Sequence, residues 1–171
     1  MIHDELEDVG WEVNDFYLQD RKIAPCQGCF GCLIRTPGIC LIDDDGREVA
    51  KKAVQSDLMV FVSPVTFGGY SSDLKKAVDR LFLQILYPFF MKINGEFHHK
   101  PRYARYPCLI GLGVLSKSDE EGERIFKTLV ARNAINLHSS LNAAGVVIKN
   151  YPPEKIRGEV KNLFARIGVK R

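Results

Sequence analysis

Four of the five cysteines crowd one short stretch, Pro25 to Asp45 (PCQGCFGCLIRTPGICLIDDD), as C-x2-C-x2-C-x7-C at Cys26, Cys29, Cys32 and Cys40. Thiols this close in sequence converge only if the backbone between them turns sharply, and Gly28, Gly31 and Gly38 supply that freedom. The segment 23–45 therefore reads as a loop shaped by what its thiols bind. Disulfide staples suit small secreted chains; this one has 171 residues and no apolar signal region at its start, so it can bury a core without them. Structural zinc usually takes two separated cysteine pairs. A three-cysteine run with a fourth within one loop's reach favours a [4Fe–4S] cluster, with zinc and free redox-active thiols as the alternatives.

The net charge of +3 gives no basic surface of the kind nucleic acid or an anionic membrane selects. Leu81 to Met91, the longest apolar stretch, is too short to span a bilayer and is broken by Gln84 and Pro88. A cytoplasmic protein of one domain, 1–171, is the expectation, with neither nucleic acid nor membrane as partner.

Along the chain, 1–10 reads as the end of a helix closed by Gly10, and Trp11 to Leu18 as a strand in which Trp11 and Val13 alternate onto a buried face. Asp43 to Asp45 read as caps for a helix reaching Gln55. Asp57 to Ser63 is a continuous apolar strand, as expected where both faces of a parallel sheet are covered. After it, Ser71 or Ser72 caps the strongest helix, with Leu74, Ala77, Val78, Leu81, Phe82 and Ile85 at helical spacing. Asp79 and Arg80 read as its exposed side or end. A hairpin-like excursion, 92–106, turns at Asn94-Gly95. Cys108 to Leu115 is a second buried strand with Cys108 as a small core residue, and Ser118 with Glu121 predicts a capping box for the helix after it. A last strand spans 144–148, and Pro153 opens a last helix.

Strands alternating with helices predict an α/β, doubly wound parallel sheet with helices on both faces. Ligands of such sheets bind beyond the carboxyl ends of the strands. Two places qualify: the loop Pro64, Val65, Thr66, Phe67, Gly68, Gly69, Tyr70 and Ser71, and the glycines Gly111 and Gly113. Their glycines would admit a flat ligand, Phe67 and Tyr70 could stack on it, and the plainer reading is tight turns and core aromatics. His98 and His99 are adjacent and diverge on a strand, which argues against a shared metal.

Together PCQGCFGC, a further cysteine before LIDDDG, and SDLMVFVSPVTFGGYSSDLKKAVDR resemble the flavodoxin-like iron–sulfur flavoproteins, relatives of the NAD(P)H-dependent FMN reductases. The resemblance covers nearly the whole chain. It implies FMN against Pro64–Ser71, a [4Fe–4S] cluster on Cys26, Cys29, Cys32 and Cys40, NAD(P)H or another electron donor, and a homo-oligomer in which the cluster of one subunit can approach the flavin of another. Hydride transfer to a flavin needs no protein acid or base, so no catalytic residue is assigned. Such folds open with a central strand and a phosphate-binding loop, and Met1 here falls within what resembles the first helix. The expectation is an N-terminally truncated version of the fold, with the strand supplied by another chain or by a longer start, or with its neighbours closed up.

Overall fold

The computed structural model describes residues 1–169. In chain order the elements are α1 (Ile2–Glu7), α2 (Gly31–Ile34), α3 (Gly46–Gln55), β1 (Leu58–Pro64), α4 (Ser72–Ile85), β2 (Leu86–Ile93), β3 (Glu96–Pro101), β4 (Cys108–Leu115), α5 (Glu120–Asn136), β5 (Asn142–Ile148) and α6 (Pro153–Arg166). A three-stranded sheet has the order β1-β4-β5, all parallel, while β2 and β3 form a separate antiparallel hairpin.

Strands of a parallel sheet are expected to bury both faces, and β4 does so, whereas β1 buries Met59, Phe61 and Ser63 on one face and leaves Val62 on the other exposed. Met59 and Phe61 of β1 and Leu109 of β4 face one core with α3, α4 and α5, including Ala50, Val78, Leu81, Phe126 and Val130. Ile110 and Leu112 of β4, with Ala143 and Val147 of β5, face the second core under α1 and α6, where Leu6, Val160, Leu163 and Phe164 pack. Helices on both faces of a parallel sheet make this the flavodoxin-like doubly wound fold that the alternating pattern predicts.

The caps follow local chemistry with two exceptions. Ser71 caps α4 by accepting the Leu74 N–H at 3.4 Å. Gly10 (φ 85) closes α1, its N–H donating to the Glu7 carbonyl. Ser118 and Glu121 make no capping box: Asp119 caps α5 by accepting the Gly122 N–H at 2.9 Å, and Glu121 pairs with Arg124. The aspartates before α3 also do other work, since Asp45 accepts the Lys22 N–H and only Asp44 reaches a helical N–H, that of Gly46.

Trp11 to Leu18 is not a strand; residues 11–17 are irregular and Leu18–Asp20 form a 3₁₀ turn. Its alternation is real, because Trp11 and Val13 pack against the second core. A strand also needs a neighbour for its N–H and C=O groups, and no strand among the described residues pairs with this segment. For the same reason β1 is an edge of the described sheet, bonded only to β4.

The hairpin turns at Asn94 (φ 50) and Gly95 (φ 85), as Asn-Gly predicts for two left-handed positions. Its first strand begins at Leu86, directly after α4, so the second half of the apolar 81–91 stretch is surface: Tyr87, Phe89, Phe90 and Met91 are exposed. His98 and His99 diverge, His98 buried against Asn136 and His99 half-buried against the Tyr87 carbonyl.

Candidate functional site

The loop after β1 leaves the carboxyl end of the strand and is closed by its own hydrogen bonds. Ser63, fully buried, donates from Oγ to the Pro64 carbonyl and accepts the Ser71 N–H, both at 2.8 Å. Thr66 and Gly69 exchange backbone hydrogen bonds at 3.2 and 2.8 Å, which leaves Phe67 (φ 50) and Gly68 (φ 76) as a two-residue tip in left-handed conformation. Strain at a non-glycine residue is held only where the surroundings fix it. The Phe67 ring is 100% exposed, and the Phe67 and Gly68 N–H groups have no acceptor among the described residues. A ring and two outward amides on a rigid tip suit a planar heterocycle.

Tyr70 is not part of that surface. It packs edge-on between Phe61 and Phe126, with ring centroids 5.9 and 5.8 Å away, and its hydroxyl accepts a hydrogen bond from Asn133 at 2.9 Å. Burial pushes its pKa up to about 12. The core-aromatic reading is therefore right for Tyr70, while Phe67 alone stays free to stack. Gly111 and Gly113 lie within β4, where the space beside Gly111 is filled by Val130 and that beside Gly113 by Val65, Phe126 and Val146. They let α5 and its neighbours approach the sheet and open no face to a ligand.

The cysteine loop is held through left-handed turns at Gly28 (φ 63), Phe30 (φ 54) and Gly38 (φ 88). Cys32 is buried on α2, Cys26 and Cys40 are half-buried, Cys29 is exposed, and all are free thiols. Burial, then the charges of Cys40, Cys26 and Cys29, push the Cys32 thiol above its usual range. No three metal-ligating side chains among the described residues close on one point. The four thiols share one loop and do not converge on one centre in this structure.

What fastens this loop was missed in the sequence. Arg80 is only 2% exposed, not on the outer side of α4. It donates to Asp44 at 2.5 Å and to the carbonyls of Ile42 and Ala24 at 3.2 and 3.4 Å. Gln84, also buried, accepts the Cys40 N–H at 3.0 Å, and Arg47 donates to the Cys40 carbonyl at 2.8 Å. Asn133 and Asn136, to which the sequence assigned no role, hold Tyr70 and His98. No periodic signal marks such residues, because a buried polar group on a helix is specified by its partner rather than by spacing. Cys108 is a half-buried residue at the start of β4, with its sulfur 3.7 Å from the Ser140 hydroxyl.

Comparison with known proteins decides the family. The family model described as NADPH-dependent FMN reductase matches residues 1–107, which include both loops. The chain belongs to the NADPH-dependent FMN reductase family. An iron-sulfur flavoprotein of Methanocaldococcus jannaschii is 39% identical over 75 residues, 44% of this chain and 38% of that protein. One from Archaeoglobus fulgidus is 34% identical over 77 residues, 45% of this chain and 34% of that protein. The chain thus aligns with well under half the length of these relatives. An NAD(P)H:quinone oxidoreductase from Methanothermobacter marburgensis superposes with a TM-score of 0.60 at 16% identity, over 98% of this chain and 84% of that one, and so shares the fold of this FMN reductase family member.

Proposed function

We propose that this chain is a single-domain, FMN-dependent oxidoreductase that passes electrons between a reduced donor such as NAD(P)H, a flavin at the Pro64–Ser71 loop, and a [4Fe–4S] cluster on Cys26, Cys29, Cys32 and Cys40. The observation that carries it is that one helix anchors two chemically distinct loops: α4 begins at the glycine-turn loop with its exposed amides and, further on, holds the cysteine loop through Arg80 and Gln84. Membership of a flavin-reductase family accounts for the first loop and the names of the relatives for the second.

Bound FMN supplies hydride acceptance and single-electron release. The Phe67 and Gly68 N–H groups are suited to hydrogen-bond the ring edge, and the Phe67 ring to cover it. Among the helices that start on this side of the sheet, α5 opens with Glu120, Glu121 and Glu123 and would repel the flavin phosphate. For the cluster, the donor set is four thiols with a buried cation beside them, which fits an anionic tetrathiolate centre, and the three-cysteine run with a fourth close behind favours iron–sulfur over zinc.

Ser71, at the end of one loop, and Gln84, which holds Cys40 of the other, are separated by about 20 Å of helix rise. That spacing, with exposed Phe30, Ile34, Ile39 and Leu41 around the cysteines, supports a homo-oligomer in which a second copy brings cluster and flavin together. No described helix is long and apolar enough to cross a membrane, and oxidisable thiols suit the cytoplasm. Anaerobic purification with iron, zinc and flavin analysis tests the reading. Roughly four irons per chain with bound FMN is expected, whereas zinc, or metal without flavin after FMN addition, overturns it.

A further inference from the structure

Burying a guanidinium is costly unless each N–H finds a partner, and Arg80 meets that demand in an uneven way. Its partners lie on both flanks of the cysteine loop: Ala24 precedes Cys26 by two residues, and Ile42 follows Cys40 by two. The Asp44 carboxylate, which takes the guanidinium, also accepts the Ala24 and Gly46 N–H groups at 2.9 and 3.0 Å. One cation therefore ties together the two ends of the segment that carries all four thiols. Gly46 is required by the same contact, because a Cβ there would lie 2.9 Å from Arg80 Cζ. Yet the buried Nε of Arg80 has no hydrogen-bond partner among the described residues. A clamp alone needs no spare N–H.

The structure assigns Arg80 as a positioning residue of the metal centre that both closes the 24–44 loop and presents positive charge and its remaining N–H to the thiolate set at Cys40. The inference rests on the cluster reading above and deepens it. Adding an electron makes an iron–sulfur centre more negative, so a buried cation and an N–H donor beside a ligating sulfur favour the reduced form and raise the reduction potential. Gln84 supports the same ligand from the backbone side, accepting the Cys40 N–H while donating to the Arg80 carbonyl at 3.1 Å.

The test compares wild type, R80K and the double variant D44N/R80Q, all reconstituted anaerobically with iron and sulfide. The double variant removes both charges, so no unpaired buried carboxylate is left to unfold the chain, and R80K keeps a charge without the planar fork. Circular dichroism reports folding, iron per chain reports assembly, and a redox titration followed by electron paramagnetic resonance reports the cluster midpoint. Expected is a folded D44N/R80Q whose midpoint lies below wild type by at least a tenfold change in oxidised-to-reduced ratio, about 59 mV for one electron, with R80K between the two. A folded double variant that loses iron the wild type holds also supports the assignment. Iron-loaded variants with the wild-type midpoint overturn the role of Arg80 and leave the cluster reading standing. A wild type that takes up no iron overturns the cluster reading and this inference with it.

Discussion

Replacing Gly68 by alanine tests whether the tip of the Pro64–Ser71 loop is rigid and whether it is where flavin binds. Gly68 has φ +76, and a side chain in that region costs ~1–2 kcal/mol. The new Cβ would also lie 2.5 Å from Ile125 Cβ, the branch point of that side chain, so no flexible end can swing clear and either the loop or α5 must shift. Overpacking of this kind costs ~1–3 kcal/mol. Together the two effects predict ~2–5 kcal/mol of lost stability, and at ~2–4 °C per kcal/mol for a chain of this size the Tm falls by at least ~4 °C. Calorimetry on G68A, I125A and the double variant separates them. Ile125 is partly exposed, so I125A alone should cost little; in the double variant the packing part returns and the backbone part stays, a coupling of ~1–3 kcal/mol. FMN titration should show weaker binding by G68A. A G68A protein that melts with wild type refutes the strain argument, and one that melts early yet binds FMN normally refutes the placement of flavin at the tip.

Three further outcomes follow from the core and from the perturbed groups. Phe126, fully buried beside Tyr70, should cost ~3–5 kcal/mol when cut to alanine, read by denaturant unfolding. The Tyr70 hydroxyl, held protonated to about pH 12 by burial, ionises near pH 10 once unfolded. Its stabilisation is therefore complete below about pH 10 and is lost as pH rises toward 12, ~3 kcal/mol over that window, and Y70F should show a shallower alkaline fall than wild type. Although burial opposes it, the hydrogen bond from Arg80, with those from the Ala24 and Gly46 N–H groups, holds the Asp44 carboxyl below its usual range. That contribution is present above about pH 4 and is lost as pH falls further, so urea midpoints of wild type and D44N should differ at neutral pH and converge in acid.

The parts legible in the sequence are those a single segment specifies. The Leu58–Pro64 and Cys108–Leu115 runs announce buried strands, Ser71 announces the start of α4, and Asn94-Gly95 announces the hairpin. The segment 11–18 has strand-like alternation but no strand beside it among the described residues, and pairing is a property of two segments. In the candidate site the cysteines and the loop after β1 were visible by residue type and by their place at a strand end. Arg80 was not, since on α4 it occupies a position next to Asp79 that reads as solvated, and only the fold brings Asp44 and the Ile42 carbonyl to meet it. Gly111 and Gly113 were visible for the wrong reason: their missing side chains admit Val130 and Phe126.

The buried pair of Arg80 and Asp44 is hard to explain by stability. Well-packed apolar residues in place of such a pair are often neutral or stabilising by ~1–4 kcal/mol, and an unsatisfied buried donor costs ~1–3 kcal/mol on its own. Leu81, Ala77 and Ile85 show that this helix readily fills a core with apolar side chains. What an apolar residue cannot do at position 80 is bind the Ala24 and Ile42 carbonyls together, one on each flank of the cysteine loop. The ion pair therefore restricts the loop rather than strengthening the core. It fixes Ala24 and Ile42, each two residues outside the outermost thiols Cys26 and Cys40, while the turns at Gly28 and Phe30 lie between them. A local rule of core packing is broken where ligand geometry requires it.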